Sequence, residues 1–140
     1  MKTVLFICTH NSARSQMAEG LVNALYSKVL MASSAGAIPT RVHPLAIKAM
    51  AELGIDISAH RSKGLEGFEG REFDYVVMVC SNAAETCPFF PGGKKQIHHG
   101  FDDPAAVEGT EEERLWSFRK SRNEINKWII DYLVLVGSEV

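Results

Sequence analysis

The sequence predicts an α/β fold, a single domain over residues 1–140 built on a four-stranded parallel sheet with helices on both faces. Short apolar runs alternate with stretches of helical spacing, the order that builds strand-helix-strand units. The run from Asp74 to Cys80 is the most continuously apolar in the chain, as a strand covered on both faces requires. A chain of 140 residues can also close one sizeable core, because a domain of that size buries roughly two-thirds of its unfolded surface.

Val4-Leu5-Phe6-Ile7 reads as the first strand and ends at Cys8. The polar stretch Thr9 to Ser15 follows. Met17, Leu21, Ala24 and Leu25 then share a helical face, which predicts a helix from about Ser15 to Lys28. Val29 to Ala35 is a second short strand, ending at Ser33-Ser34-Ala35-Gly36. Pro44 opens a helix through Ala46, Ile47, Met50 and Leu53 that Gly54 stops. Ser58 to Arg71 holds three glycines and mixed charge, so it reads as loop or short helical turns over the face that carries the Cys8 loop. Asp74 to Cys80 is the third strand. The polar segment Ser81 to Cys87 leads to breakers at Pro88 and Pro91-Gly92-Gly93, and Lys95 to His99 makes the fourth strand. Thr110 and Glu113 form a capping box, and Leu115, Phe118, Ile125, Ile129, Tyr132 and Val136 are the apolar stripe of a long last helix.

Charged residues make up 23% of the chain and the net charge is -2, so no basic face points to nucleic acid and no polybasic segment to a membrane surface. The first apolar run is too short for a signal-peptide core, and Asp131 interrupts the stretch from Trp128 to Val136. A cytoplasmic protein is expected. Three cysteines, an odd number, argue against a disulfide framework and for either reactivity or simple burial.

Function in parallel sheets collects beyond the carboxyl ends of the strands. There the sequence delivers Cys8, Cys80 and the Asp102-Asp103 pair to one edge. The loop Thr9, His10, Asn11, Ser12, Ala13 and Arg14 lies between a strand and a helix N-terminus, short enough for successive backbone N–H groups to curl around an anion. Arg14 adds a bidentate fork for a tetrahedral oxyanion. A helix N-terminus and a nearby cation favour a cysteine thiolate, and the Ser15 hydroxyl could donate to the sulfur. The site is then an anion cradle with a nucleophile at its base. If Cys8 attacks an oxyanion, the leaving oxygen needs a proton, and Asp103 before Pro104 is the candidate acid. Plainer alternatives exist for each part: a buried cysteine at a strand end, and an ordinary turn at Asp-Pro.

From Cys8 to Ser15, continuing through Gln16-Met17-Ala18-Glu19-Gly20, the chain resembles the low-molecular-weight protein-tyrosine-phosphatase family and, within it, the arsenate reductases that thioredoxin reduces. The resemblance covers nearly the whole chain. It implies that fold, assigns the acid to Asp103 rather than Asp102, and implies arsenate as substrate, with phosphate and sulfate as competing oxyanions. It further implies a relay in which Cys80 attacks Cys8 and expels arsenite, and Cys87 then takes Cys80 into a disulfide for thioredoxin to reduce. Thioredoxin is thus an external reductant, with no bound cofactor, and a monomer is expected. A phosphatase needs only one of these cysteines, and the tyrosine that usually follows its Asp-Pro is Ala105 here. The alternatives are a small tyrosine phosphatase and a non-enzymatic oxyanion-binding redox sensor.

Were Ser81 to Cys87 a helix, seven residues at about 1.5 Å would part the cysteines by about 10 Å, beyond the roughly 7 Å a disulfide spans. The relay therefore requires that segment to unwind on oxidation. Metal binding by Cys80 and Cys87 with His98 and His99 is disfavoured, since adjacent strand residues point to opposite faces. Against the family pattern, His10 stands where glycine is frequent and has no assigned role, and Ala13 replaces a second loop cysteine. Some relatives hold a potassium ion beside the loop. Asn11, Glu19 and Ser34 match its ligands, while Lys63 falls where an aspartate would be, so its ammonium is expected to replace the ion.

Overall fold

The computed structural model describes residues 1–80 and 88–135. Ser81 to Cys87, and with it the expected unwinding, lies outside the described residues, as does Val136. Four strands, β1 (Lys2–Cys8), β2 (Leu30–Gly36), β3 (Phe73–Met78) and β4 (Gly93–His98), form one sheet in the order β2-β1-β3-β4. All three pairings are parallel. Among the described residues three α-helices accompany them: α1 (Arg14–Leu25), α2 (Pro44–Ala51) and α3 (Glu111–Ile129).

Alternation along β1 divides the core. Val4, Phe6 and Cys8 face a cluster built from Met17, Leu21 and Val22 of α1, Ala46 and Met50 of α2, and Phe118, Ile125 and Ile129 of α3. Leu5 and Ile7 face the opposite layer, where Phe68, Phe73, Val76 and Phe90 close the sheet beneath a 3-10 turn, Leu65–Phe68. Both faces are covered, but among the described residues the three α-helices share one of them.

Helix boundaries follow local chemistry. Thr110 and Glu113 make the reciprocal capping box that starts α3, and Pro44 sits in the first turn of α2 behind the cap residue His43. Three parts of the apolar stripes fall differently from expectation, the first being Leu53, which lies beyond the end of α2 at Ala51 and is exposed. In α1 the buried face is Met17, Ala18, Leu21 and Val22, whereas Leu25 is exposed, because the helix ends there and the chain turns at Tyr26 into β2. Tyr132 is also exposed, since a π-helical turn over Ile130–Val134 changes the helical phase and buries Leu133 instead.

The strand order places β1 between β2 and β3, so the chain reverses direction across the sheet between β1 and β3. That is the crevice where ligands of such sheets bind. Cys8 ends β1, and Cys80 lies two residues beyond the end of β3.

Candidate functional site

The loop after Cys8 is pinned on every side. The Ile38 N–H donates to the Thr9 carbonyl, the His43 N–H to that of Ser12, and the Ser62 hydroxyl to that of His10. Asn11 adopts φ 50, the left-handed region that asparagine tolerates better than most side chains. Gly36 closes the loop from below. A Cβ there would lie 2.7 Å from the Asn11 nitrogen and 2.8 Å from the Thr9 carbonyl oxygen, so the loop backbone rests directly on β2.

The resulting cleft, about 150 Å³, is lined by Cys8, His10, Ser12, Ala13, Arg14, Thr40, Asp103 and Ala105. Helix α1 opens at its floor, capped by Ala13 without a side-chain acceptor and with no acidic residue in the first turn to compete for the positive helix end. Cys8 is buried and its Sγ lies 2.8 Å from Ser15 Oγ. Arg14, only 4% exposed, donates from Nη1 to the Phe101 carbonyl at 3.1 Å, while Nη2 lies 3.9 Å from Asp103 Oδ2. Asp103 also caps the short turn Pro104–Ala106 by accepting from the Ala105 N–H at 3.0 Å. One carboxylate oxygen is thus held by backbone and the other faces the arginine across the cleft.

A polar network lies under the loop, and sequence reasoning found only part of it. Asn11 Oδ1 accepts from the Lys63 N–H at 2.8 Å and from Gln16 Nε2 at 2.9 Å. Gln16, fully buried, also donates to the Arg61 carbonyl, and its Oε1 lies 3.0 Å from His60 Nδ1. Because Oε1 can only accept, His60 carries a hydrogen on Nδ1. Gln16 and His60 had no signal of their own in the sequence; they are recognisable only once residues 60–63 fold back over the loop.

Beside this network the Ser34 hydroxyl donates to Glu19 Oε1 at 2.6 Å. Lys63 Nζ lies 3.6 Å from the same oxygen and donates to the Arg61 carbonyl at 3.0 Å. Of the four residues singled out as a cation site or its replacement, Glu19, Ser34 and the Lys63 ammonium meet, while Asn11 touches this group through the Lys63 backbone N–H. Among the described residues there is no group of three or more His, Cys, Asp or Glu side chains suited to a metal ion.

Cys80 is fully buried and disulfide-bonded, and Cys8 is free. Beyond β3 the Val79 N–H donates to the Ile7 carbonyl at 2.8 Å, and Cys80 Sγ lies 3.9 Å from that same oxygen. Cys80 is thus held within one peptide of Cys8. Cys87 lies outside the described residues. His99 packs at a tilt against Phe101 and Trp128, and the His98 ring reaches the Cys80 carbonyl oxygen. No described helix is long and apolar enough to cross a membrane.

Comparison with known proteins gives a consistent neighbourhood. Residues 3–139 match the family described as low molecular weight phosphotyrosine protein phosphatase. A protein named arsenate reductase from Halalkalibacterium halodurans is 45% identical over 128 residues, covering 91% of this chain and 92% of its own. A solved structure of an arsenate reductase in the reduced state superposes with a TM-score of 0.78 at 31% identity, covering 97% of this chain and 99% of that one. A thioredoxin-dependent arsenate reductase from Corynebacterium glutamicum superposes with a TM-score of 0.61 at 29% identity, over 92% of this chain and 62% of that one.

Proposed function

The chain belongs to the low molecular weight phosphotyrosine protein phosphatase family, in its arsenate reductase branch, and we propose that it reduces arsenate to arsenite by a thiol relay recharged by thioredoxin. The observation that carries this reading is the placement of Cys80. A hydrolytic phosphatase needs one cysteine in its cradle, whereas here a second, disulfide-forming cysteine stands against the end of the strand that holds the first.

Arsenate enters the cleft with its oxygens toward the loop backbone and the Arg14 guanidinium, which spread its charge over fixed donors. Cys8 attacks arsenic, an S–As bond forms, and one oxygen departs as water with a proton from Asp103. Cys80 as thiolate then attacks Cys8 Sγ. The S–S bond forms, the S–As bond breaks, and the electron pair stays on arsenic, which leaves as arsenite. Two electrons pass from two thiols to one arsenic. Cys87 displaces Cys8 from Cys80, and thioredoxin reduces the resulting disulfide by the same exchange. A cytoplasmic setting, where thioredoxin is reduced, suits this cycle.

A tyrosine phosphatase is the second reading, favoured by the same oxyanion cradle. Against it, Ala105 lines the cleft where an aryl phosphate would find an aromatic wall. NADPH consumption with arsenate, thioredoxin and thioredoxin reductase separates the two. Turnover by the native protein and none by Cys8→Ser, Cys80→Ser or Cys87→Ser supports the relay. Hydrolysis of an aryl phosphate through Cys8 alone, with no NADPH consumed, would establish the phosphatase. Binding of oxyanion without multiple turnovers would leave a redox sensor.

A further inference from the structure

We infer that His98 is a positioning residue for Cys80, holding its peptide, seen here with the sulfur in a disulfide, in the place from which the reduced thiol attacks; the inference rests on the relay proposed above. His98 is the last residue of β4, and its Nε2 lies 2.9 Å from the Cys80 carbonyl oxygen. A carbonyl only accepts, so Nε2 carries the hydrogen and donates it.

The bond completes a series. Past the end of β3 the Met78 carbonyl receives the His99 N–H and the Val79 carbonyl receives the Phe101 N–H. Beyond Phe101 the chain leaves for Asp103 and the cleft. The His98 side chain reaches back from the end of β4 and donates to the Cys80 carbonyl. His98 itself is exposed and lies on the edge strand of the sheet, so its burial adds little to the core. Its polar reach is directed at one peptide, that of the resolving cysteine.

This peptide matters because Cys80 must pass through two partners. Its sulfur attacks Cys8 Sγ in line with the S–As bond and is afterwards attacked in turn. With the backbone fixed, the sulfur changes partner by rotating about its own side-chain torsion; with the peptide loose, the attacking position is one of many. Misplacement of a reacting group by about 1 Å can cost on the order of a hundredfold in rate. The first chemical step does not involve Cys80, so a defect at His98 falls on the second step alone.

The test separates the two steps. Reduced protein is mixed with arsenate in the absence of thioredoxin, and arsenite formed in the single turnover is followed by rapid quench. Steady-state hydrolysis of p-nitrophenyl phosphate, which uses Cys8, Arg14 and Asp103, serves as the control. His98→Leu is expected to slow arsenite formation at least tenfold while changing kcat/KM for the aryl phosphate less than twofold. His98→Gln, which restores an amide donor, is expected to recover most of the rate. His98→Ala serves as a second variant should the leucine disturb folding. An arsenite burst as fast in His98→Leu or His98→Ala as in the native protein overturns the inference alone. Equal losses in both assays, unrescued by glutamine, also overturn it by showing a structural role. Absence of any burst from the native protein overturns the reductase reading and this inference together.

Discussion

Asn11 Nδ2 donates to Ser15 Oγ over 2.8 Å, and this bond sets the direction of the hydrogen bonds that end at the Cys8 sulfur. The amide cannot be turned round, because its Oδ1 already accepts from the Lys63 backbone N–H. Ser15 Oγ therefore accepts from Asn11 and has its own hydrogen free for Cys8 Sγ, 2.8 Å away. The sulfur is left as an acceptor, the role that a thiolate fills.

Substitution of Asn11 should reverse or remove that polarity. Asn11→Gly keeps the left-handed backbone without strain and loses only the side chain, so it separates the two roles. It is expected to slow alkylation of Cys8 by iodoacetate at neutral pH several-fold and lower kcat/KM for p-nitrophenyl phosphate about tenfold or more, a hydrogen bond to a charged group being worth about 1.5–3 kcal/mol. Asn11→Asp should be worse than glycine, since its second oxygen accepts from Ser15 and turns the hydroxyl away from sulfur. An aspartate variant as reactive as the native protein would refute the relay of polarity.

Lys63 gives an ionic counterpart. Its ammonium already faces Glu19, whose Oε1 the Ser34 hydroxyl also engages, so a monovalent cation has no work left to do there. Activity with arsenate is expected to be the same in potassium and sodium chloride at equal ionic strength. Lys63→Ala is expected to lose activity several-fold and to regain part of it with potassium. A several-fold potassium activation of the native protein would show that Lys63 is a solvated loop residue.

Gly36 supports the loop by having no side chain. The atoms nearest a new Cβ are loop backbone, at 2.7 to 2.9 Å, and cannot move aside as a flexible side chain would. Gly36→Ala is expected to lower stability by about 1–3 kcal/mol and to reduce both aryl phosphate hydrolysis and arsenate turnover at least tenfold, because the displaced peptides are those that face the oxyanion. Thermal denaturation and the two rate assays check this. Native rates in Gly36→Ala would mean that the loop is not seated on β2 as described.

The parts of this site legible in the sequence were those that local pattern fixes. A strand ending at Cys8, a helix beginning at Arg14 or Ser15, and an Asp-Pro turn each follow from neighbouring residues, and the parallel sheet brings their ends together. Gln16, His60 and His98 were not legible, because their roles depend on contacts 18 to 45 positions away in the chain. Leu25 and Tyr132 misled for a related reason: an apolar residue near a helix end fits the spacing, but the turn after α1 and the π-helical turn after α3 decide where it points.

His43 ties stability to pH through a helix cap. Its Nδ1 accepts from the Leu45 N–H at 3.1 Å, its ring packs on Phe118 at 4.7 Å between centroids, and it begins α2. Partial burial holds the imidazole below its ordinary range; Arg114 and Arg41 push the same way and Asp103 opposes them. The folded residue thus takes up its proton less readily than the unfolded one. Above the ordinary histidine value of about 6.5 both states are neutral and the contribution is complete; as the pH falls below it the unfolded chain binds more protons and stability declines. Protonation also removes the Nδ1 lone pair, and with it a cap worth about 1 kcal/mol. His43→Asn keeps an acceptor that does not titrate in this range. Urea denaturation from pH 7.5 to 5 is expected to show the native protein losing stability relative to His43→Asn as the pH falls, with the gap opening below about 6.5. A gap that stays constant across the range would mean that the His43 cap does not titrate with folding.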